Sequence, residues 1–267
     1  MMVPRHRLVT RLTHWTNALA MAILLMSGLQ ILNAHPALYW GRAGYAPNGA
    51  WLDIYGAGTP PQGILRIGRT AYRTTGLLGV FGSGDHLVMK AFPGWLTIPS
   101  WRDLATGRRW HFFFAWVLVL NGMAYLAHAA ITGHLRRDLL PDAGELAPRH
   151  LARDLWNHVR LRFPKGPAAL AYNPLQKISY VFVILILAPL MALTGLAMSP
   201  GFDAASPWLL DLFGGRQSAR AIHFLLASFL VAFLLVHLAM VVLSGPINNV
   251  ASMITGRYRI EEDDHVA

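Results

Sequence analysis

Two histidines, His223 and His237, lie inside an apolar run that is long enough to cross a bilayer as a helix. Residues 221–243 contain no Asp, Glu, Lys or Arg. The spacing of 14 residues corresponds to about 21 Å along a helix axis and leaves the two rings within about 40° of one face. A polar ring in a lipid-facing segment is costly, so both are expected to face a bundle interior. Two stacked haem groups, each ligated once by this helix, fit the spacing; the alternative is hydrogen bonding to neighbouring helices.

The composition is that of a membrane protein. Charged residues make up 13% of the 267 residues and hydrophobic residues 54%, with a mean hydropathy of +0.39, whereas soluble domains are about 25% charged. The first apolar segment is too long for a signal-peptide core, so we interpret it as a helix. We therefore predict an all-α membrane protein, one integral-membrane domain over 1–267 with a four-transmembrane-helix bundle. The predicted spans are about 9–33, 109–132, 175–198 and 220–244.

The chain has no cysteine. This excludes disulfides, iron–sulfur clusters and covalently attached c-type haem, so any haem here is held non-covalently by histidine or methionine. The net charge of +10 arises from basic residues in the loops. In a membrane protein such residues report topology and contact with anionic lipid, and we expect no nucleic-acid partner.

Three further histidines lie in the predicted spans. His14 is about one turn inside the first, and His111 is at the first turn of the second, directly after Arg108 and Arg109. Either arginine could pair with a haem propionate, although ordinary snorkelling at the interface explains them equally well. His128 follows His111 by 17 residues, which places it near the opposite surface and about 100° off the His111 face.

The loops define the topology. Lys and Arg number three in the N-terminal segment, seven in the second loop (about 134–172) and two in the tail, against Arg216 alone in the third loop. The positive-inside rule therefore predicts that both termini and the second loop are cytoplasmic.

The long first loop, about 35–107, is then extracytoplasmic. Its aromatic residues suggest short interfacial helices and a docking surface, and we expect a surface helix at about 149–162 in the second loop.

With this topology, depth pairs the histidines. His111 and His223 lie near the outer face, and His14 and His237 lie near the inner face. We predict that each pair ligates one haem iron, with His128 as the competitor of His14 at the inner level. Ligation by two histidines leaves no open position on iron, which favours electron transfer over oxygen chemistry.

Three features concern the third span. The run YNPLQK precedes it, and its Asn173 and Pro174 are typical of a helix N-cap and first position. Pro189 is expected to kink the span. Gly195 leaves room for a bulky cofactor or, more simply, for a packed neighbouring helix.

Several of these residues resemble a known family. The runs RLTHW and GRRWH and the paired histidines of the fourth span resemble the prokaryotic dihaem cytochrome b superfamily, which includes bacterial cytochrome b-561 and the membrane subunits of formate dehydrogenase-N and nickel–iron hydrogenase. The resemblance covers all four spans. The stretches MSGLQILNAHPALYWG and LTIPSW to GRRWHF are similar to thiosulfate-reductase-type cytochrome b subunits, which anchor periplasmic molybdenum oxidoreductases.

The resemblance implies two b haems, electron exchange with a membrane quinone, and a place in the bacterial inner membrane beside a periplasmic redox partner. In the formate dehydrogenase subunit a YNxxQK run lies at the quinone site. Asn173 and Gln176 match it here, so they become candidate quinone-binding residues. Two alternatives remain: a stand-alone cytochrome that passes electrons from a small reductant such as superoxide to quinone, and a haem-free transporter with a histidine proton relay. The absence of Asp and Glu from the spans disfavours the relay.

Overall fold

A computed structural model describes residues 1–44, 49–162 and 170–260. Among these residues, four helical segments are long and apolar enough to cross a membrane, which confirms the predicted helical membrane protein with four spans. They are Leu8–Leu32, Leu104–Ile131, Pro174–Met198 and Arg216–Leu243. The second begins earlier than expected, at Leu104. Residues 163–169 of the predicted second loop, Lys165 included, lie outside the described residues.

The helices and strands are numbered here in chain order. The α-helices are α1 (Leu8–Leu32), α2 (Leu104–Ile131), α3 (Pro148–Val159), α4 (Pro174–Phe182), α5 (Ala188–Met198), α6 (Pro200–Ala205), α7 (Pro207–Leu212), α8 (Arg216–Leu243) and α9 (Pro246–Thr255). The strands are β1 (Met2–Pro4), β2 (Ala37–Leu38), β3 (Leu52–Ala57), β4 (Gln62–Ile67), β5 (Thr70–Arg73), β6 (Val80–Phe81), β7 (Val88–Met89) and β8 (Arg257–Arg259). Helix α3 is the surface helix expected in the second loop.

The third span is built from α4, a π-helical segment at Val183–Leu187, and α5. The π-helical turns lie just before Pro189, which lacks an N–H and whose ring crowds the carbonyl of the residue four positions earlier. A wider turn at this point accommodates the proline inside a span that continues to Met198.

The chain forms two compact units, described separately here. The first, called the terminal unit, comprises Met1–Asn17, Leu120–Pro189 and Ser228–Ala267. In it β1 pairs antiparallel with β8, and the Met1 ammonium donates a hydrogen bond to Ile260 O at 3.0 Å. Both ends of the described chain therefore lie side by side. This is consistent with an even number of membrane crossings.

Side chains of the terminal unit connect its helices. The Asn121 amide of α2 donates to Thr13 O at 2.8 Å and to Asn17 Oδ1 at 2.7 Å, both on α1. The Trp15 indole donates to Met253 O of α9 at 3.1 Å. Such bonds between polar groups and backbone satisfy donors that an apolar environment would leave without water.

The second unit, called the loop unit, comprises Ala18–Val119 and Leu190–Ala227. The first loop was expected to hold short interfacial helices, and that prediction is wrong. Its described part forms an antiparallel sheet in the order β2-β3-β4-β5 and a small β6–β7 hairpin, with only two three-residue 3-10 turns. At the start of β3, the buried Leu52 and Ile54 alternate with the less buried Asp53 and Tyr55. Alternation with a period of two is typical of a strand rather than a helix.

The sheet packs on the ends of spanning helices within the loop unit. Leu32, Leu38, Ile54 and Phe92 belong to one buried cluster. Beside it the buried Asn33 side chain accepts a hydrogen bond from Phe92 N at 2.8 Å. On α8, Arg220 donates to His35 O and to Ala37 O, and Ser218 Oγ accepts from Gly41 N at 2.7 Å. The first loop is therefore a folded layer fixed to α1 and α8.

Gly63 of β4 offers a test of this layer. A Cβ at Gly63 would lie 2.0 Å from Leu78 O, a backbone atom that cannot rotate away. We expect Gly63→Ala to destabilise the sheet by about 1–3 kcal/mol or more, as overpacking does, and to speed limited proteolysis of the first loop. Gly201→Ala is the control, since a Cβ there meets no atom within 4 Å. Equal cleavage rates in both variants would contradict the packing described.

Candidate haem site

Two of the histidines face each other in the loop unit. His111 lies about two turns inside α2, and His223 lies about two turns inside α8. Their ring centroids are 6.2 Å apart, with an angle of 63° between the ring planes. The structure thus brings together the two residues that the sequence predicts as one ligand pair.

The separation suits two imidazoles on opposite sides of one metal ion. A metal–imidazole bond of about 2.0–2.1 Å, with the ring centroid about 1.1 Å further out, gives roughly 6.3 Å between centroids. Direct ring stacking or a hydrogen bond between the rings would bring the centroids closer than this. The donor set and its spacing therefore fit an iron with two axial histidines.

Neighbouring helices contact both rings. Ser27 Oγ of α1 lies 3.1 Å from His111 Nδ1, and Thr194 Oγ1 of α5 lies 2.9 Å from His223 Nδ1. Both hydroxyl-bearing residues are fully buried, at 0% exposure. The sequence reasoning missed them, although Ser27-Gly28-Leu29 and Thr194-Gly195-Leu196 repeat one short pattern in two spans.

The glycines of that pattern also lie against the rings. A Cβ at Gly195 would be 3.4 Å from His223 Cε1, and one at Gly28 would be 3.3 Å from His111 Cε1. Gly195 was interpreted chiefly as a helix-packing residue. The neighbour of Gly195 is the ring of His223, a predicted ligand. Close packing of the helices and the position of this ligand therefore depend on the same contact.

The second pair lies in the terminal unit. The ring centroids of His14 and His237 are 6.3 Å apart, with 56° between the planes. Phe233 stacks on His237 at 6.0 Å, and Trp15 contacts His14 edge-on at 5.2 Å. The spacing repeats that of the first pair, so these rings also fit two axial ligands of one iron.

His128, the competitor of His14, is placed differently. Within the described part of the chain it makes no ring contact with His237, and its buried Nε2 has no hydrogen-bond partner. It lines a cavity of about 250 Å³ together with His6, His134, Tyr172 and Lys177. This geometry favours His14 over His128 as the partner of His237.

Arg108 and Arg109 are exposed at the start of α2. The Arg108 guanidinium lies over the Phe112 ring at 5.4 Å, a contact along the helix surface. Both positions remain open to a propionate or a lipid headgroup, so their predicted role stays a prediction.

Asn173 and Gln176 form a capping box at the start of α4, as the N-cap reading predicts. Asn173 Oδ1 accepts from Gln176 N at 2.9 Å, and Gln176 Oε1 accepts from Asn173 N at 3.2 Å. The Asn173 amide also lies 3.2 Å from Nε2 of His158 on α3. These bonds fix the turn that presents the flanking residues Tyr172 and Lys177 to the cavity.

The cavity is positively charged. Arg5, Arg7 and Arg137 line it, and burial together with the charge of Arg5 lowers the pKa of His6 to about 4. His6 is therefore neutral at pH 7. Burial raises the pKa of Tyr172, so its phenol stays protonated and can donate a hydrogen bond. A polar acceptor such as a carbonyl oxygen suits this lining.

Comparison with known proteins agrees with this arrangement. The prokaryotic cytochrome b561 family matches residues 5–256. A putative protein-methionine-sulfoxide reductase subunit, YedZ1 of Azospira oryzae, is 27% identical over 233 residues, which is 87% of each chain. Since the family match covers nearly the whole sequence, the resemblance noted at the sequence level is confirmed, and the chain belongs to the prokaryotic cytochrome b561 family, membrane b-type cytochromes that transfer electrons.

Proposed function

We propose that this protein is a dihaem b membrane subunit that exchanges electrons between the quinone pool and a periplasmic oxidoreductase, with molybdenum as the partner's expected metal. The observation that carries the proposal is the repeated pairing of histidine rings, 6.2 Å apart for His111–His223 and 6.3 Å apart for His14–His237. Helix α8 contributes one histidine to each pair. The two ring separations are nearly the same, and each fits one haem iron between its two rings.

The four histidines would each ligate iron through one ring nitrogen. Haem bound in this way supplies one-electron transfer at an iron with no vacant axial position. The chain itself orients the rings and partly shields them from water, since all four histidines are half-buried between apolar helices. The exposed Arg108 and Arg109 are available to propionates by charge-assisted hydrogen bonds.

A membrane quinone is proposed to meet the protein in the terminal unit, near His14, His237 and the start of α4. The cavity of about 250 Å³ supports this, because it presents the Tyr172 phenol and the Lys177 ammonium beside Asn173. Lys177 is also paired with Glu145 at 2.9 Å. The count of Lys and Arg in the loops supports a cytoplasmic position for both termini, and the proposed quinone site lies in the same unit as the termini.

The redox partner is proposed to dock on the folded first loop of the loop unit. Its described surface exposes Trp40, Trp95 and Trp101, and exposed tryptophans are typical of protein interfaces. The relative from Azospira oryzae is named as a subunit of a reductase for methionine sulfoxide in proteins. A reductase as partner agrees with the oxidoreductase partner expected from the sequence.

The two alternatives fit the structure less well. A proton relay requires titratable groups spaced along a path, whereas two ring contacts join the four histidines in two separate pairs. A stand-alone cytochrome for a small reductant has no need of a four-stranded sheet fixed to α1 and α8.

The first prediction concerns the division of ligands. His223→Ala should yield protein with one haem per polypeptide, because it breaks one pair only, and His237→Ala should also yield one haem but with a different spectrum. His86→Ala, a change at an exposed loop histidine, is the control and should keep two. Haem quantification and optical spectra of the purified variants check this. Loss of both haems from either folded single variant would contradict independent pairs.

The second prediction separates His14 from His128. His14→Ala should lose the haem shared with His237, because its ring is the one that faces His237. His128→Ala should retain two haems, because that ring lines the cavity instead. If His128→Ala lost a haem while His14→Ala kept both, the assignment would be reversed.

The third prediction concerns quinone. Asn173→Ala removes both the helix cap and the amide donor, whereas Asn173→Asp keeps a capping oxygen and removes only the donor. If the amide binds a quinone carbonyl, both variants should slow haem reduction by a quinol analogue about tenfold, the value of one hydrogen bond of roughly 1–1.5 kcal/mol. Stopped-flow reduction, with haem content as the control, measures this. Unchanged kinetics in Asn173→Asp would assign Asn173 to capping alone.

A further inference from the structure

The two rings of the loop-unit pair are each held by a hydroxyl-glycine pair on a neighbouring helix. His111 rests on Ser27 and Gly28 of α1, and His223 rests on Thr194 and Gly195 of α5. The two contacts repeat each other in every respect: hydroxyl oxygen to Nδ1, and glycine to Cε1. Because the same arrangement occurs on two different helices, we interpret it as a support for the two rings and not as a chance contact.

The hydroxyl protons define which nitrogen of each ring carries hydrogen. Ser27 Oγ lies 2.6 Å from Ile23 O, and Thr194 Oγ1 lies 2.9 Å from Leu190 O, so each hydroxyl donates its single proton to its own helix. Only lone pairs then remain to face the imidazole. Nδ1 must therefore be the protonated nitrogen that donates to the hydroxyl, and Nε2 carries the free lone pair.

A second consequence is a fixed ring plane. The hydroxyl holds Nδ1 at 3.1 Å in His111 and 2.9 Å in His223, while the glycine allows the ring edge to approach the neighbouring backbone. Any larger side chain at Gly28 would begin 3.3 Å from His111 Cε1, tighter than an ordinary contact. Rotation of either ring about its Cβ–Cγ bond would break the hydrogen bond.

The pair in the terminal unit lacks this support. His14 Nδ1 is buried and, among the described residues, has no hydrogen-bond partner. The buried Thr13 beside it also donates to a carbonyl of its own helix, Val9 O at 2.8 Å, and within the described residues no hydrogen bond joins its hydroxyl to an imidazole. The protein therefore treats its two histidine pairs differently.

We propose that Ser27 and Thr194 are positioning residues that set the tautomer, the ring plane and the donor strength of His111 and His223. A hydrogen bond from Nδ1–H makes Nε2 a stronger donor to a metal. A stronger donor stabilises the ferric state, so each hydroxyl lowers the reduction potential of the haem that this pair ligates. The inference rests on the proposed ligation of haem by His111 and His223, and it adds the residues that tune that site.

The test is potentiometric titration of full-length purified protein, followed by optical and EPR spectra of the oxidised form. Ser27→Ala and Thr194→Val remove one hydroxyl each. Each should shift the reduction equilibrium of one haem about fivefold towards the reduced state, the value of a net hydrogen bond of about 1 kcal/mol. For one electron this corresponds to a rise of about 40 mV, since tenfold is 59 mV. The double variant should shift further, and the other haem should not move.

Conservative variants separate the hydrogen bond from packing. Ser27→Thr and Thr194→Ser keep the hydroxyl and should keep the wild-type potential. Thr13→Val, which removes a buried threonine hydroxyl with the same bond to its helix, should leave the potential of the His111–His223 haem unchanged. The EPR g values of that haem depend on the angle between its ligand planes, so they should move in Ser27→Ala and Thr194→Val only.

Three results distinguish failure of this inference from failure of the proposed function. Wild-type protein with two haems, together with unchanged potentials and EPR spectra in Ser27→Ala and Thr194→Val, would overturn the positioning role and leave ligation intact. Equal shifts in the hydroxyl-retaining variants would also overturn it, because packing would then be the cause. Retention of both haems in His111→Ala would instead refute the ligation on which the inference depends.

Discussion

Neutral imidazole rings inside membrane-spanning helices are the constraint from which the other features follow. A buried ring with an unmade hydrogen bond costs about 1–3 kcal/mol, and no bulk water is present in the bilayer core to reduce that cost. The four rings meet in two pairs at 6.2 Å and 6.3 Å. A single partner that lies between the two rings of a pair would satisfy one nitrogen of each ring. A metal ion with axial sites is the partner that this separation fits.

Within the loop unit, the same helices support the rings and the folded loop. On α1, Ser27 supports His111, and Asn33, which directly follows α1, accepts a hydrogen bond from the loop backbone at Phe92. On α8, Ser218 and Arg220 precede His223 in the sequence and form hydrogen bonds with the backbone of the first loop. The segments of α1 and α8 therefore connect the folded first loop to the histidine rings. This places the proposed partner surface and one proposed haem site on a common support.

In the terminal unit, polar groups that look functional in sequence have structural partners. Asn173 and Gln176 satisfy each other in a capping box, and Lys177 pairs with Glu145. Lys177 holds the pKa of Glu145 below its usual range, with the hydrogen bond as the main cause. The neighbouring residue Tyr172 is then the main group that faces the cavity. The proposed quinone site therefore depends on the turn as a whole.

The sequence predicts the spans well because hydropathy over a full crossing length is a strong and local signal. It also predicts the histidine pairs, since helix periodicity and topology together define depth and face. The prediction fails in the first loop: its aromatic content favours interfacial helices, whereas the structure forms strands, and LDIYGA begins with the alternation of a strand. The roles of Ser27 and Thr194 depend on contacts between helices remote in sequence. A single sequence gives no direct signal for such contacts.

The central claim is that both histidine pairs ligate haem. The most direct test is a reduced-minus-oxidised optical spectrum of the purified full-length protein, combined with haem quantification per polypeptide. We expect a b-type spectrum and two non-covalent haems in each chain. Folded protein that binds no haem, or that saturates at one, would contradict it.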